Sequence, residues 1–247
     1  MINTWNESLL HEELKDYYCG DNGLKEVPID GSICDILAAD GQIIEIQTKN
    51  LSSLSVKIEK LLTHHQVKLI HPIPVITYIE TYTEGNVLIS KRKSPKKGSL
   101  YSIFPEITKI WRFLPDPKFT LLVVLAEILE IRIADGKGSW RRKGVSKADK
   151  KLLKILDQVE ISSLYDLQKM IPEGLSEPFT RKDLRNTDVG KNADFMAWVL
   201  HQAGMLELVG KQGNAHMYRV SHVHRKTGRV KTKRVPAPIA EEIDTVP

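Results

Sequence analysis

The sequence predicts an α/β protein: a mixed-sheet core in the order αβββαβ, followed by a smaller helical unit that ends in a β-hairpin. Three observations carry this. Short apolar runs with polar residues inside them lie between residues 26 and 48. Helical spacing brackets those runs on both sides. Beyond a glycine- and charge-rich stretch at 136–145 the spacing turns helical again. The 247 residues leave room for a sizeable core and more than one domain. The expected division is a core domain at 1–135, a linker at 136–145, a second domain at 146–220 and a basic tail at 221–247.

Composition narrows the class. Hydrophobic residues make up 41% and charged residues 27%, as in ordinary globular chains. The net charge of +5 and pI near 9.0 permit a nucleic-acid partner without demanding one. Cys19 and Cys34 are the only cysteines, too few for a disulfide framework or a zinc set. A reducing cytoplasm is therefore the expected location. Met1 to Glu7 lacks a basic region followed by an apolar one, which predicts no signal peptide. The longest apolar run, around Leu121 to Leu125, falls far short of the ~18 residues of a membrane helix, so no membrane partner is expected.

The first helix is predicted from Glu7 to Tyr18, with Asn6 as cap, Leu10, Leu14, Tyr17 and Tyr18 at helical spacing, and Gly20 as stop. Glu26 to Ile29 reads as a strand and Asp30-Gly31 as a turn. Strands at Ser32–Ala38 and Gln42–Thr48 follow, joined at Ala39-Asp40-Gly41. A helix from Ser52 to His64 buries Leu54, Ile58, Leu61 and Leu62, and its Lys57 and Lys60 read as a solvated face beside Glu59. Val67–Ile70 is a strand closed by His71-Pro72, and the helical crossover before it implies a parallel pair in a mixed sheet. Val75–Tyr82 and Asn86–Ser90 read as a further strand pair. Tyr101–Trp111 reads as helical with a break at Pro105, and Phe119–Ile133 as one long strand or two short ones.

Two carboxylates stand out. Asp35 sits within Ile33-Cys34-Asp35-Ile36-Leu37, and Glu45 within Ile43-Ile44-Glu45-Ile46. An acid in an apolar strand is costly unless paired, hydrogen-bonded or metal-bound. A hairpin of the two strands brings Asp35 close to Glu45. Strand alternation puts Glu45, Gln47 and Lys49 on one face. Two carboxylates beside a polar donor and a cation suit Mg2+ or Mn2+, which prefer oxygen ligands, and the Ile46 carbonyl is a plausible third oxygen. Gln47 can orient water or phosphate, and Lys49 can stabilise developing charge if the strand continues that far. Glu7 can reach the site from the first helix, although a solvated first-turn acid is the plainer reading. His64, His65 and His71 have no metal-ligand spacing and read as surface or packing histidines.

Two further stretches bear on partners. Lys91-Arg92-Lys93-Ser94-Pro95-Lys96-Lys97-Gly98 carries five cations and no acid, and reads as either a solvated loop or a phosphate clamp. In the second domain, predicted helices begin at Ser146, at Ser162 or Ser163, at Phe179 and at Lys191, followed by a hairpin of Met205–Val209 and Ala215–Val220. Helices followed by a β-hairpin with a basic tip form the winged helix-turn-helix pattern. Arg181, Lys182, Arg185, Lys191 and Lys211 favour DNA over the alternative, a protein-contact adaptor. The basic run His222–Arg234 reads as a tail that adds affinity for phosphate or merely solubility.

Helix, strand, Asp35 on a second strand, Glu45-x-Gln47 on a third, then helix and strand resembles the PD-(D/E)xK nuclease superfamily, with its restriction-endonuclease-like and resolvase-like members. Asn6-Glu7-Ser8-Leu9-Leu10-His11 resembles the acidic first helix of the resolvase-like ones. Glu45 to Asn50, Arg92 to Lys96 and Gly210 to Asn214 are similar to a largely uncharacterised prokaryotic family that joins such a core to a C-terminal winged helix, a likeness covering most of residues 1–220. The resemblance implies metal ligands at Asp35 and Glu45, and a DNA endonuclease that functions in repair, recombination or defence. It puts Gln47 at the superfamily's lysine position. No Pro-Asp precedes the pair; Pro28-Ile29-Asp30 is nearest, with Asp30 as an alternative ligand. The other function the sequence allows is a non-catalytic DNA-binding protein on a degenerate core. Cutting both strands would favour a homodimer.

Overall fold

The computed structural model describes residues 8–221. Its first half is a mixed α/β layer arrangement around one large sheet. Helix α1 (Leu9–Cys19) leads into strands β1 (Leu24–Ile29), β2 (Ser32–Leu37) and β3 (Ile43–Ile46). A 3-10 turn and helix α2 (Ser55–Leu62) cross over to β4 (Val67–Tyr82), and β5 (Leu88–Lys93), β6 (Phe119–Ala134) and β7 (Val145–Ile161) complete the sheet. The strand order is β1-β2-β3-β4-β6-β7, with β5 pairing β4. β3 and β6 run parallel to β4, and the other pairs are antiparallel. The αβββαβ order expected of the first half is the order observed.

The C-terminal unit contains α3 (Leu164–Gln168), β8 (Phe179–Thr180), α4 (Arg181–Arg185), α5 (Ala193–Gln202), β9 (Leu206–Gln212) and β10 (Ala215–Val220). Its three strands form an antiparallel sheet in the order β8-β10-β9.

Four local expectations need correcting. Ser146 does not cap a helix. Residues 145–161 form β7, and 136–145 is the connection of a long β6–β7 hairpin rather than a linker. Leu152, Ile155 and Leu156 suit a helical stripe, but the buried strand β6 needs a partner along its second edge, and tertiary pairing overrides the local spacing. Second, His71-Pro72 does not close a strand. β4 continues for 16 residues because β6 pairs along its length, while β3 pairs only with Val67–Ile70, so Pro72 and Pro74 face an open edge on that side, where a missing N–H is tolerated. Third, Lys91, Arg92 and Lys93 lie on β5, not in a loop. Fourth, Tyr101–Trp111 forms short 3-10 turns rather than an α-helix.

Two cores flank the sheet. Leu10 and Leu14 of α1 pack on Ile36, Ile44, Ile46, Ile70, Leu122 and Val124. The larger core joins Ile58 and Leu61 of α2 and Leu69 and Val123 of the sheet to Phe104, Leu184, Met196 and Leu200. The sheet and the C-terminal unit therefore share one hydrophobic interior. No helix among the described residues is long and apolar enough to cross a membrane.

Candidate functional site

The antiparallel β2–β3 pairing matches Ile36 with Ile44 and Leu37 with Ile43, so one step further Asp35 stands opposite Glu45. The two strands part there, and the Asp35 side chain takes over the ladder: its Oδ2 accepts the Ile46 N–H at 2.7 Å. Both carboxylates line a cleft of about 330 Å³ with His11, Gln47, Lys49 and Lys57. The predicted constellation Asp35, Glu45, Gln47 and Lys49 is thus assembled in one place.

Glu45 is 2% exposed. Its Oε2 accepts from Lys57 Nζ at 2.6 Å, whereas Oε1 is buried with no hydrogen-bond partner among the described residues other than the Cys34 thiol that lies against the carboxylate. An unsatisfied buried carboxylate oxygen is costly and calls for a cation or donor. Burial, and next the charge of Asp35, raise the Glu45 pKa above the ordinary range, against the pull of Lys57. Asp35 shifts the other way. Burial raises it, but the hydrogen bonds from His11 and the Ile46 N–H, with the charges of His11 and Lys57, together hold it below the usual value. Burial, and next the charge of Glu45, push the neighbouring Cys34 thiol up to about 12, which favours its protonated form.

His11 and Lys57 belong to the site although the sequence singled out neither for it. His11 Nε2 lies 2.8 Å from the Ile46 carbonyl and 3.3 Å from Asp35 Oδ2. Its signal was placement on the inward stripe of α1, beside Leu10 and Leu14. Lys57, expected on a solvated face, instead spans from Glu45 to the Ile33 carbonyl, 2.6 Å from each. Glu59, which marked that face as solvated, pairs with Arg112.

Other expectations shift. β3 ends at Ile46, so Gln47 and Lys49 reach the cleft from the following bend, and Gln47 Nε2 donates to Ser53 Oγ at 3.0 Å. The Gln47 carbonyl is held by buried His71, whose Nδ1 lies 2.6 Å away. Asp30 bonds His65 at the β1–β2 turn and is not a lining residue of this cleft. Glu7 and the run 222–234 lie outside the described residues.

Among the described residues no group of three or more His, Cys, Asp or Glu side chains is placed to hold a metal ion. Two carboxylates and a backbone carbonyl still fit a hard divalent cation, since Mg2+ typically keeps several waters and takes only one or two carboxylates. The orphaned Glu45 Oε1 is the observation that supports the fit.

A second cleft of about 520 Å³ adjoins the first, and Thr48 and Lys49 line both. It collects Lys96, Lys97 and Lys191 from the sequence-predicted cations, and adds Arg132, Lys147 and Lys150. The remaining predicted cations are elsewhere. Lys91 pairs with Glu80, Lys93 stacks on Tyr78 and Arg92 is exposed on β5. Arg181 and Arg185 both face Asp194, and Lys182 and Lys211 are exposed. The exposed side chains of α5 include Phe195 and Trp198, not cations.

The profile of a family described as a domain of unknown function (DUF8091) matches residues 8–162, from the start of the described chain to the end of β7. The chain belongs to this family. The matched segment runs through 136–145 without a break and holds both carboxylates. A relative described as an uncharacterized protein of Treponema pallidum (strain Nichols) is 34% identical over 218 residues, covering 88% of this chain and 87% of the relative. No solved structure matches.

Proposed function

We propose that this protein is a divalent-metal-dependent DNA endonuclease with a PD-(D/E)xK-type core and a C-terminal winged helix-turn-helix unit. The observation that carries the reading is the Asp35–Glu45 pair: opposed strand carboxylates, one with a buried unpartnered oxygen, in a cleft that opens onto a basic one. The αβββαβ order supports the core, and the order α3-β8-α4-α5-β9-β10 supports the winged helix.

Asp35, Glu45 and the Ile46 carbonyl would hold Mg2+ or Mn2+. When bound, that ion supplies an activated water and neutralises charge on the phosphate. The chain's own residues do the rest. The His11 and Ile46 N–H contacts keep Asp35 ionised and oriented. Lys57 offers the cation that position 47 lacks, reaching Glu45 from α2, and can steady negative charge on a phosphodiester in the cleft. Gln47, fixed by Ser53, can orient a water or a phosphate oxygen. Lys49 sits where the two clefts meet and can draw the backbone toward the carboxylates.

A second reading, a DNA-binding protein on an inert core, is favoured by the glutamine at position 47 and by His11 lying on the Ile46 carbonyl. Incubation with supercoiled, branched and single-stranded DNA in Mg2+ or Mn2+ separates the two. Wild-type cleavage that Asp35→Ala and Glu45→Ala each abolish, with binding kept, supports the nuclease. Binding without cleavage on every substrate sinks it, and absence of binding leaves a protein-contact adaptor.

A further inference from the structure

Lys150 is half-buried in the larger cleft and has no ion-paired carboxylate among the described residues. Its neighbours include Lys147, Lys49 and Lys96, while nearby Glu130 is already engaged by Arg132 at 2.5 Å and Lys147 at 2.9 Å. An ammonium that is partly desolvated and set among like charges is unfavourable until an anion joins it. Burial first, then the charge of Lys147, lower its pKa against the pull of Glu130, and Lys49 and Lys96 add smaller contributions in the same direction as Lys147.

The arrangement is built rather than incidental. In the β6–β7 register Glu130 faces Lys150, Ile131 faces Asp149 and Arg132 faces Lys147, so Ala148 is the extra residue of a bulge. That bulge lets two lysines of opposite parity line one cleft. The loop bearing Lys96 and Lys97 is pinned to β4 on both sides, by Ser94 N–H on the Thr77 carbonyl at 2.8 Å and Gly98 N–H on the Pro74 carbonyl at 3.1 Å. At Gly98 a Cβ would lie 2.4 Å from that same Pro74 oxygen, so the close approach requires glycine.

We propose that this cleft is the track for one strand of nucleic acid, gripped through its phosphates by Lys96, Lys147, Lys150 and Lys191 and led past Lys49 to Asp35 and Glu45. What lies at the end of the track rests on the nuclease reading; the track itself does not. At about 520 Å³ the cleft is of the size that encloses a small organic ligand, so a duplex cannot enter it whole and a single strand can. Among the described residues no Phe, Tyr or Trp lines it, and His71 is held on the Gln47 carbonyl, so the lining lacks the usual stacking platform for bases and favours backbone contact indifferent to sequence. Continuity with the acidic cleft through Thr48 and Lys49 suits a chain carrying phosphates at intervals rather than one compact phosphorylated molecule.

The test uses the full chain in EDTA, so that no cleavage intervenes. Binding of a fluorescein-labelled oligothymidylate and of a blunt duplex is measured against salt. The cleft lysines should contribute to strand affinity and little to duplex affinity, which the proposed winged-helix unit can supply. The double variant Lys147→Gln/Lys150→Gln should lose about tenfold in strand affinity, with a salt slope shallower by roughly 0.7 for each phosphate contact removed. Lys154→Gln, exposed on the same strand and outside the cleft, should change neither. Melting curves confirm that the variants fold. Unchanged strand affinity in the folded double variant overturns the proposal. So does a loss of duplex affinity in the double variant as large as its loss of strand affinity, or competition by thymidine diphosphate as strong as by the oligonucleotide. A protein that cleaves nothing yet loses strand binding in the double variant keeps the track and loses the nuclease. A nuclease indifferent to Lys147 and Lys150 does the reverse.

Discussion

The acidic and the basic cleft meet at Thr48 and Lys49, yet they are assembled in opposite ways. The acidic one draws most of its groups from the stretch between Asp35 and Lys57, two adjacent strands and the helix after them. The basic one gathers lysines from positions 49, 96, 97, 147, 150 and 191, brought together only by the sheet and the C-terminal unit. In the first, the carboxylates are compensated and buried: Lys57 pairs with Glu45, and the His11 imidazole lies against Asp35. In the second, like charges are left facing one another. A site that must orient a small hard ion needs rigid, compensated ligands. In the basic cleft Glu130 compensates Arg132 and Lys147, and Lys150 is left without an ion pair among the described residues, an excess of positive charge that costs stability and suits a polyanion.

The largest separation between the two should appear in catalysis. On the nuclease reading, Glu45→Ala should lower cleavage at saturating DNA by at least ~10²-fold. Lys147→Gln/Lys150→Gln should instead raise KM while changing kcat little. Single-turnover cleavage over a range of DNA concentrations checks both.

Next in size is the buried pair. Lys57→Ala leaves the Glu45 carboxylate uncompensated and should cost about 3 kcal/mol at about pH 8. Near pH 5 the loss should shrink, because Glu45 takes up a proton more readily than an ordinary glutamate. Urea denaturation at the two pH values measures it.

The same shift sets a pH dependence. Because the folded-state pKa of Glu45 lies above its unfolded value, its neutral form contributes stability that is lost as pH rises through the folded pKa. A divalent cation favours the ionised form. On the metal-site reading, Mn2+ should therefore raise Tm by an amount that grows as pH increases through that range, and the rise should vanish in Glu45→Gln.

The smallest effect has the opposite sign. Lys150 has a lowered pKa, so its charged form opposes folding at neutral pH. Lys150→Met should stabilise the free protein by about 1 kcal/mol, a rise in Tm of about 2–4 °C. A fall in Tm would mean that Lys150 has a stabilising partner and that the cleft is not charge-frustrated.

Much of the first half was legible in the sequence because its information is local. Apolar runs, turn residues and helix periods specify α1 to β4, and two acids inside apolar strands mark a site wherever those strands pair. Lys57 was misjudged because a lysine stem can snorkel toward solvent or turn inward, and residue spacing does not distinguish the two. β7 reads as a helix because its apolar spacing is helical, and only pairing along the open edge of β6 overrides that spacing. His11 was overlooked as a ligand-facing group because its partner, the Ile46 carbonyl, is a backbone atom 35 residues away.

The sequence by itself determined the element order through β4 and the opposition of Asp35 and Glu45, because hairpin register follows from turn position and side-chain alternation. Tertiary structure alone decided which cations face an anion. Lys147 and Lys150 share a cleft with Lys49 and Lys191 only because a bulge at Ala148 re-aims one strand, and because the C-terminal unit shares the sheet's hydrophobic core. Charge has no period in the sequence; it acquires a geometry only when the backbone that carries it is packed.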